Sequence, residues 1–197
     1  MIMIIYKGTN EAVRSAVTYT NNLFTYTPFI KAIGKNKKFD MANITPQKIA
    51  DMIQETDLQL AIDLYLPLPF AKDAYTYDDP LNPAMIHMNK RKLDRPVHSL
   101  CNTLVHQCVH ALNAVNPDCY FGHGDNDPDG KDNTAPYWIA NLAQKMVAAD
   151  EITPDTMAHE NTENIKAIQN TQGKDIQESL YNEGIFCFYD MKAIMEA

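Results

Sequence analysis

Residues 58–67 alternate between two kinds of position. Leu58, Leu60, Ile62, Leu64 and Leu66 fall on one side, Gln59, Ala61, Asp63, Tyr65 and Pro67 on the other. A period of two is that of a strand with one buried face. Two shorter apolar runs, 1–6 and 84–89, predict two more strands. Between and after them the apolar spacing changes to that of helices. Thr9-Asn10-Glu11 caps a helix over 10–24, with Ala12, Val13, Ala16, Val17 and Leu23 apolar. Thr45-Pro46 starts a helix over 46–55, because a cap Thr followed by Pro in the first turn is a start signal. Pro96 opens a long helix over 96–115, Pro136 one to about residue 149, and Thr153-Pro154 one to about residue 169. Residues 184–190 read as a late strand with room for a short helix after it. A Pro-rich, aromatic loop is expected at 67–83, and a loop rich in Asn, Asp and Gly at 116–135.

The pattern predicts an α+β fold in one domain, 1–197, without repeats or low-complexity linkers. The chain is 45% hydrophobic, enough for a real core, and 21% charged. Its net charge of −8 repels phosphate backbones, so no nucleic acid is expected as a partner. The lysine-rich run 31–38 stands as the one basic cluster and reads as a solvated loop. No run approaches the ~18 apolar residues of a transmembrane helix, so no membrane partner is expected. The N-terminal apolar run is short and follows no basic residue, as an opening strand would and a signal peptide would not. The four cysteines, Cys101, Cys108, Cys119 and Cys187, form no C-x-x-C pair. They suit reduced thiols and a cytoplasmic setting.

The long helix at 96–115 carries the chemistry. Its wheel puts Cys101, Leu104, Cys108 and Leu112 on an apolar back and Asn102, Thr103, His106, His110 and Asn113 on a polar front. His106 and His110 stand four residues apart, so they lie ~40° apart around the helix and their Cβ atoms ~5–6 Å apart. Two imidazole nitrogens at that spacing can bridge one tetrahedral Zn²⁺ at ~2.0–2.1 Å each. The residue after His106 is Gln107, at the place where an H-E-x-x-H helix carries its general base. Chance alone also places two surface histidines at this spacing, so the pair needs a third ligand.

His123 is the first candidate, in Phe121-Gly122-His123-Gly124-Asp125. Its flanking glycines are expected to let the loop double back onto the helix. Asp125 is the alternative metal ligand, and Glu151, Glu160 and Glu163 rank third. His98 lies ~80° off the metal face of the helix. His87 and His159 read as ordinary polar residues. Residues 125–130, Asp-Asn-Asp-Pro-Asp-Gly, match the first half of a calcium loop, but position twelve is Pro136 where a Glu belongs. A turn is the simpler reading of that segment.

His106-x-x-x-His110 on an apolar-backed helix, preceded by a strand ending Ile86-His87-Met88-Asn89, resembles the zincin-like metallopeptidases. Gly122-His123-Gly124-Asp125-Asn126 and Asn133-Thr134-Ala135-Pro136-Tyr137-Trp138-Ile139 are similar to segments of phage and bacterial zincin-like or SprT-like peptidases. The likeness covers roughly residues 58–148. The spacing after His110 is not that of metzincins. The resemblance implies a small mixed sheet packed on an active-site helix, with further helices C-terminal and an edge strand that binds peptide. It also implies a Zn²⁺ cofactor, a peptide or protein substrate, and hydrolysis of peptide bonds through a metal-activated water. Tyr120 and Tyr137 are candidate oxyanion or substrate contacts. Gln107 is the departure: it has nearly the shape of Glu but accepts no proton at neutral pH. An inactivated peptidase is therefore expected, against two rivals: a non-catalytic zinc-containing binding protein, and a structural zinc site closed by four protein ligands.

Overall fold

Four strands form one sheet in the order β1 (Ile2–Ile5), β2 (Leu58–Tyr65), β4 (Met85–Asn89), β3 (Thr76–Tyr77). β1 pairs parallel to β2 with Ile2 opposite Leu58, and β2 parallel to β4 with Ala61 opposite Met85. Among the described residues β3 is the antiparallel strand, Thr76 opposite Met88 and Tyr77 opposite His87, and it ends the sheet. The helices are α1 (Glu11–Thr25), α2 (Thr27–Gly34), α3 (Pro46–Glu55), α4 (Val97–Ala114) and α5 (Ala135–Ala148). These elements come from a computed structural model that describes residues 1–68, 74–77, 82–124 and 130–149. The helix expected at 153–169 and the strand expected at 184–190 lie outside the described residues.

One face of the sheet is buried. Ile2, Ile4, Leu58, Leu60, Ile86 and Met88 share it and are all nearly inaccessible. The alternation at 58–67 therefore reports a buried face at its start, while Leu66, beyond the strand, is 65% exposed. The free edge of β1 is closed by a side chain. Asn21 of α1 accepts from the Ile4 N–H at 2.8 Å and donates to the Ile4 carbonyl at 2.9 Å, as a neighbouring strand would. Local signals end the helices where expected: Asn10 accepts from Val13 N–H to cap α1, and Thr45 from Lys48 N–H to cap α3.

Two elements differ from the sequence reading. The run 31–38 is not simply a loop, because Lys31, Ile33 and Gly34 belong to α2, whose Phe29, Ile30 and Ile33 are buried and which packs on α3. Thr27-Pro28 opens it, the same signal that marks α3. The stretch read as a loop over 67–83 contains β3, too short for any periodicity to show.

α4 packs most extensively against α5 and α1. Its back is fully buried at Leu100, Cys101, Leu104, Val105, Cys108 and Leu112. Small residues of α5, Ala135, Ala140 and Ala143, let the two helices come close. Burial pushes the Cys101 thiol up to about 12 and the Cys108 thiol up as well, so both behave as small apolar groups. Truncating this surface leaves a cavity. Leu104→Ala is expected to cost ~2–5 kcal/mol in urea unfolding, whereas a loss under ~0.5 kcal/mol would mean that the back of α4 is not core.

Candidate metal centre

With its back locked in the core, α4 turns His106, Gln107 and His110 outward, each half-buried. The loop after α4 brings His123, 6% exposed, onto the same spot. Three Nε2 atoms converge: His106 to His110 at 3.1 Å, His110 to His123 at 2.9 Å, His123 to His106 at 3.1 Å. Among the described residues these three form the group able to hold a metal ion. Three nitrogens each ~2.0–2.1 Å from one tetrahedral ion would stand about 3.3 Å apart, close to what is found.

The donor chemistry favours a cation over hydrogen bonding within the cluster. Burial, together with His110 and His123, pulls the His106 pKa down to about 3, against a hydrogen bond to the Pro136 backbone that raises it. Proline offers only a carbonyl there, so His106 is the donor. Its Nε2 faces the other imidazoles, which leaves Nδ1 to carry the proton. His106 is thus a neutral ring with an Nε2 lone pair aimed at its neighbours. A metal ligand needs that form, and the hydrogen bond of the far nitrogen fixes the ring orientation. The residues present fit a three-histidine metal site.

Tyr137, one residue after that carbonyl, stacks on His123 with centroids 4.8 Å apart and meets His106 edge-on at 4.6 Å. Pro136 and Tyr137 both lie in the first turn of α5, so one helix start holds two ligand rings.

His123 is positioned by asparagines rather than by glycines. Asn113 Oδ1 accepts from Phe121 N–H at 2.6 Å, and Phe121 is fully buried. Asn43 Oδ1 accepts from Tyr120 N–H at 2.7 Å, while Asn43 N–H donates to the Tyr120 carbonyl at 2.8 Å. Among the described glycines only Gly130 has positive φ. A Cβ on Gly122 would stand 3.9 Å from the nearest side-chain atoms, and one on Gly124 would meet nothing within 4 Å. The expected need for glycine beside His123 is therefore not what bends this loop.

Gln107 Nε2 donates to Thr76 Oγ1 at 2.8 Å, tying the metal helix to the edge strand β3. Tyr120 is 42% exposed and, among the described residues, its ring does not contact the histidines. Asp125, residues 125–129 of the half calcium loop, and Glu151, Glu160 and Glu163 lie outside the described residues. His87 pairs with Asp63 at 3.3 Å on the sheet. Asn102 donates to Asn141 of α5 at 3.0 Å.

Three contributors escaped the sequence: Thr76, the Pro136 carbonyl and Asn43. None has a motif, although Asn113 and Asn116 at the end of α4 are the kind of residue that ties a following loop. A second basic cluster also went unread, Lys90-Arg91-Lys92 in a 3-10 turn (Lys90–Lys92) with Arg95 just after it. Comparison with family models, curated proteins and solved structures gives no match.

The centre predicts about one Zn²⁺ per chain in zinc-replete protein, measured by inductively coupled plasma mass spectrometry. His106→Ala, His110→Ala and His123→Ala should each abolish it, and His98→Ala should not. Full zinc content in any of the first three would remove that residue from the site. Asn113→Ala should keep the ligands but loosen the His123 loop, weakening zinc affinity ~10–100-fold as loss of a supporting hydrogen bond does. Unchanged affinity in a competition titration with a chelator would mean that Asn113 does not position His123.

Proposed function

We propose that the chain is a zincin-like, zinc-dependent peptidase whose hydrolytic power is held down by Gln107. The observation that carries the reading is the convergence of three imidazole Nε2 atoms within 3.1 Å, two from one face of a helix and one from a following loop. The topology supports it further: the metal helix follows a mixed sheet, and the one antiparallel strand is the terminal strand next to that helix.

A Zn²⁺ held there supplies a Lewis acid that polarises a carbonyl and makes water more acidic near neutral pH. The chain's own groups do the rest. His106, His110 and His123 bring neutral nitrogen donors, so the site keeps the full positive charge of the ion. β3 ends the sheet, and an extended peptide adds to such an edge as a further strand. Thr76 and Gln107 hold that edge at a fixed height above the histidines. Tyr137 stacks on His123 and meets His106 edge-on, and a phenol beside the ligands can stabilise charge on a substrate oxygen. Gln107 occupies the place of the general base and carries an amide, which does not take a proton.

A second reading, a non-catalytic zinc-containing peptide-binding protein, is favoured by the Gln107 amide being engaged with Thr76. In that case position 107 is a clasp for the edge strand, and binding of peptide at that edge is the function.

Gln107→Glu separates the two. On the peptidase reading it should raise cleavage of a proteome-derived peptide library by ~10²-fold or more, with zinc content unchanged, because a missing general base typically costs ~10²–10⁴-fold. The gain should vanish with a chelator, and cleavage is read by mass spectrometry. Equal, background-level cleavage by both forms would favour the binding protein. Strong cleavage by the Gln107 form would instead assign proton transfer to another residue.

A further inference from the structure

Arg95 lies between the end of β4 and the first turn of α4, against the residue that precedes β3. Its guanidinium is half-buried and bonded to backbone and hydroxyl groups. Nε donates to the Lys92 carbonyl at 2.8 Å. Nη1 donates to the Ser99 carbonyl at 3.0 Å and the Ser99 Oγ at 3.1 Å, and Nη2 donates to Thr103 Oγ1 at 2.8 Å. One face of the guanidinium covers the Tyr75 ring, 4.4 Å from its centroid, and Lys92 Nζ stands 5.7 Å from the same ring. Tyr75 immediately precedes β3, and its carbonyl accepts from Asn89 N–H at 2.9 Å.

Every one of those partners is neutral. Among the described residues no carboxylate lies within ion-pair distance of Arg95. Burial accordingly pulls its pKa below the ordinary arginine value, with Tyr75 acting the other way. A half-buried cation with no counter-ion among the described residues bears a desolvation cost that its neutral partners offset only in part. Arginine has five N–H groups and four bonds are accounted for above, so one Nη2 N–H remains. The same short stretch adds Lys90 and Arg91, both exposed, in a chain whose net charge is −8.

The position fits a peptide added to β3. Thr103, which Arg95 grips, stands one helical turn before Gln107 and less than one before His106, a step of about 5 Å along α4. Tyr75, which Arg95 covers, is the neighbour of Thr76, which Gln107 grips. A strand added to β3 rises ~3.4 Å per residue, so a group one or two residues from the one above the histidines comes level with Arg95.

We infer that Arg95 is a recognition subsite for a carboxylate on the bound peptide, one or two residues from the position over the histidines. The carboxylate takes the remaining Nη2 N–H and neutralises the guanidinium, with Lys92 and the exposed Arg91 adding longer-range attraction. This rests on the peptide-binding reading above and narrows it to acidic peptides, the carboxylate being either an Asp or Glu side chain or a free C-terminus.

The test uses the full chain loaded with zinc, with Gln107 in place so that bound peptide is not consumed. Fluorescein-labelled octapeptides of one neutral Thr- and Leu-based host carry Glu or Gln at each position in turn, with the C-terminus free or amidated, and binding is read by anisotropy. At least one carboxylate form should bind about tenfold or more tighter than its amide counterpart, the range of a charge-assisted hydrogen bond. That margin should collapse in Arg95→Gln, persist in part in Arg95→Lys, and shrink with added salt. If the Glu position decides the margin, the carboxylate is a side chain; if the free terminus decides it, the peptide ends at Arg95. Equal affinity of acid and amide forms would overturn the subsite and leave the peptide-binding reading standing. No binding by any peptide would overturn both. Should Arg95→Gln fail to fold, the acid and amide comparison on the unaltered chain still decides.

Discussion

Three imidazole nitrogens about 3 Å apart cannot all be paired by hydrogen bonds, since at least one pair sets donor against donor or lone pair against lone pair; a cation between three lone pairs removes that conflict. The described structure is arranged to enforce that proximity. The back of α4 is locked by Leu104, Val105, Cys108 and Leu112, which fixes the rotation of His106 and His110. Asn113 and Asn43 clamp the loop that returns His123. The first turn of α5 supplies both the Pro136 carbonyl that orients His106 and the Tyr137 ring that packs two of the ligands. Ordering these groups has a conformational cost, and burying a ring as strongly neutral as His106 gives up its hydration. A bound cation offsets both, which is the thermodynamic reason to read the cluster as a metal centre rather than as core packing.

The same helix couples that centre to the sheet. Gln107 and Arg95 hold consecutive residues of the edge segment, Thr76 and Tyr75, against one face of α4. The terminal strand is thereby referenced to the histidines and not merely to its neighbour β4. A surface that binds an extended chain gains from such preorganisation, because the edge does not have to be ordered at the moment of binding. Gln107 therefore has a mechanical part to play whatever its effect on proton transfer. Glu at that position would keep a partner for the Thr76 hydroxyl, so placing a carboxylate there does not require dismantling the clasp.

Much of this was legible in the chain. The period-two run at 58–67, the Thr-Pro and Asn caps, and the i,i+4 histidines on an apolar-backed helix each follow from local rules, and β2, α1, α3 and α4 appear within a residue or two of the expected bounds. His123 was reachable because it is the next histidine after the pair in a polar loop. What escaped had no local signature. β3 is two residues long and owes its place to pairing with β4 and to Gln107, both contacts distant in sequence. The loop bearing His123 turns through side-chain hydrogen bonds from Asn43 and Asn113, one of them 77 residues away, and not through the adjacent glycines. α2 was missed although Thr27-Pro28 announced it, because a lysine-rich stretch was weighed by its charge and not by the apolar Phe29, Ile30 and Ile33 within it.

The most direct test of the metal centre is a crystal structure with anomalous difference maps collected on both sides of the zinc absorption edge. A single peak equidistant from the Nε2 atoms of His106, His110 and His123, with metal–nitrogen distances of ~2.0–2.1 Å and a fourth position not filled by protein, is the predicted result. A peak coordinated by a fourth protein side chain would make the site structural. The absence of any peak in zinc-replete crystals, with the three rings still in contact, would contradict the account outright.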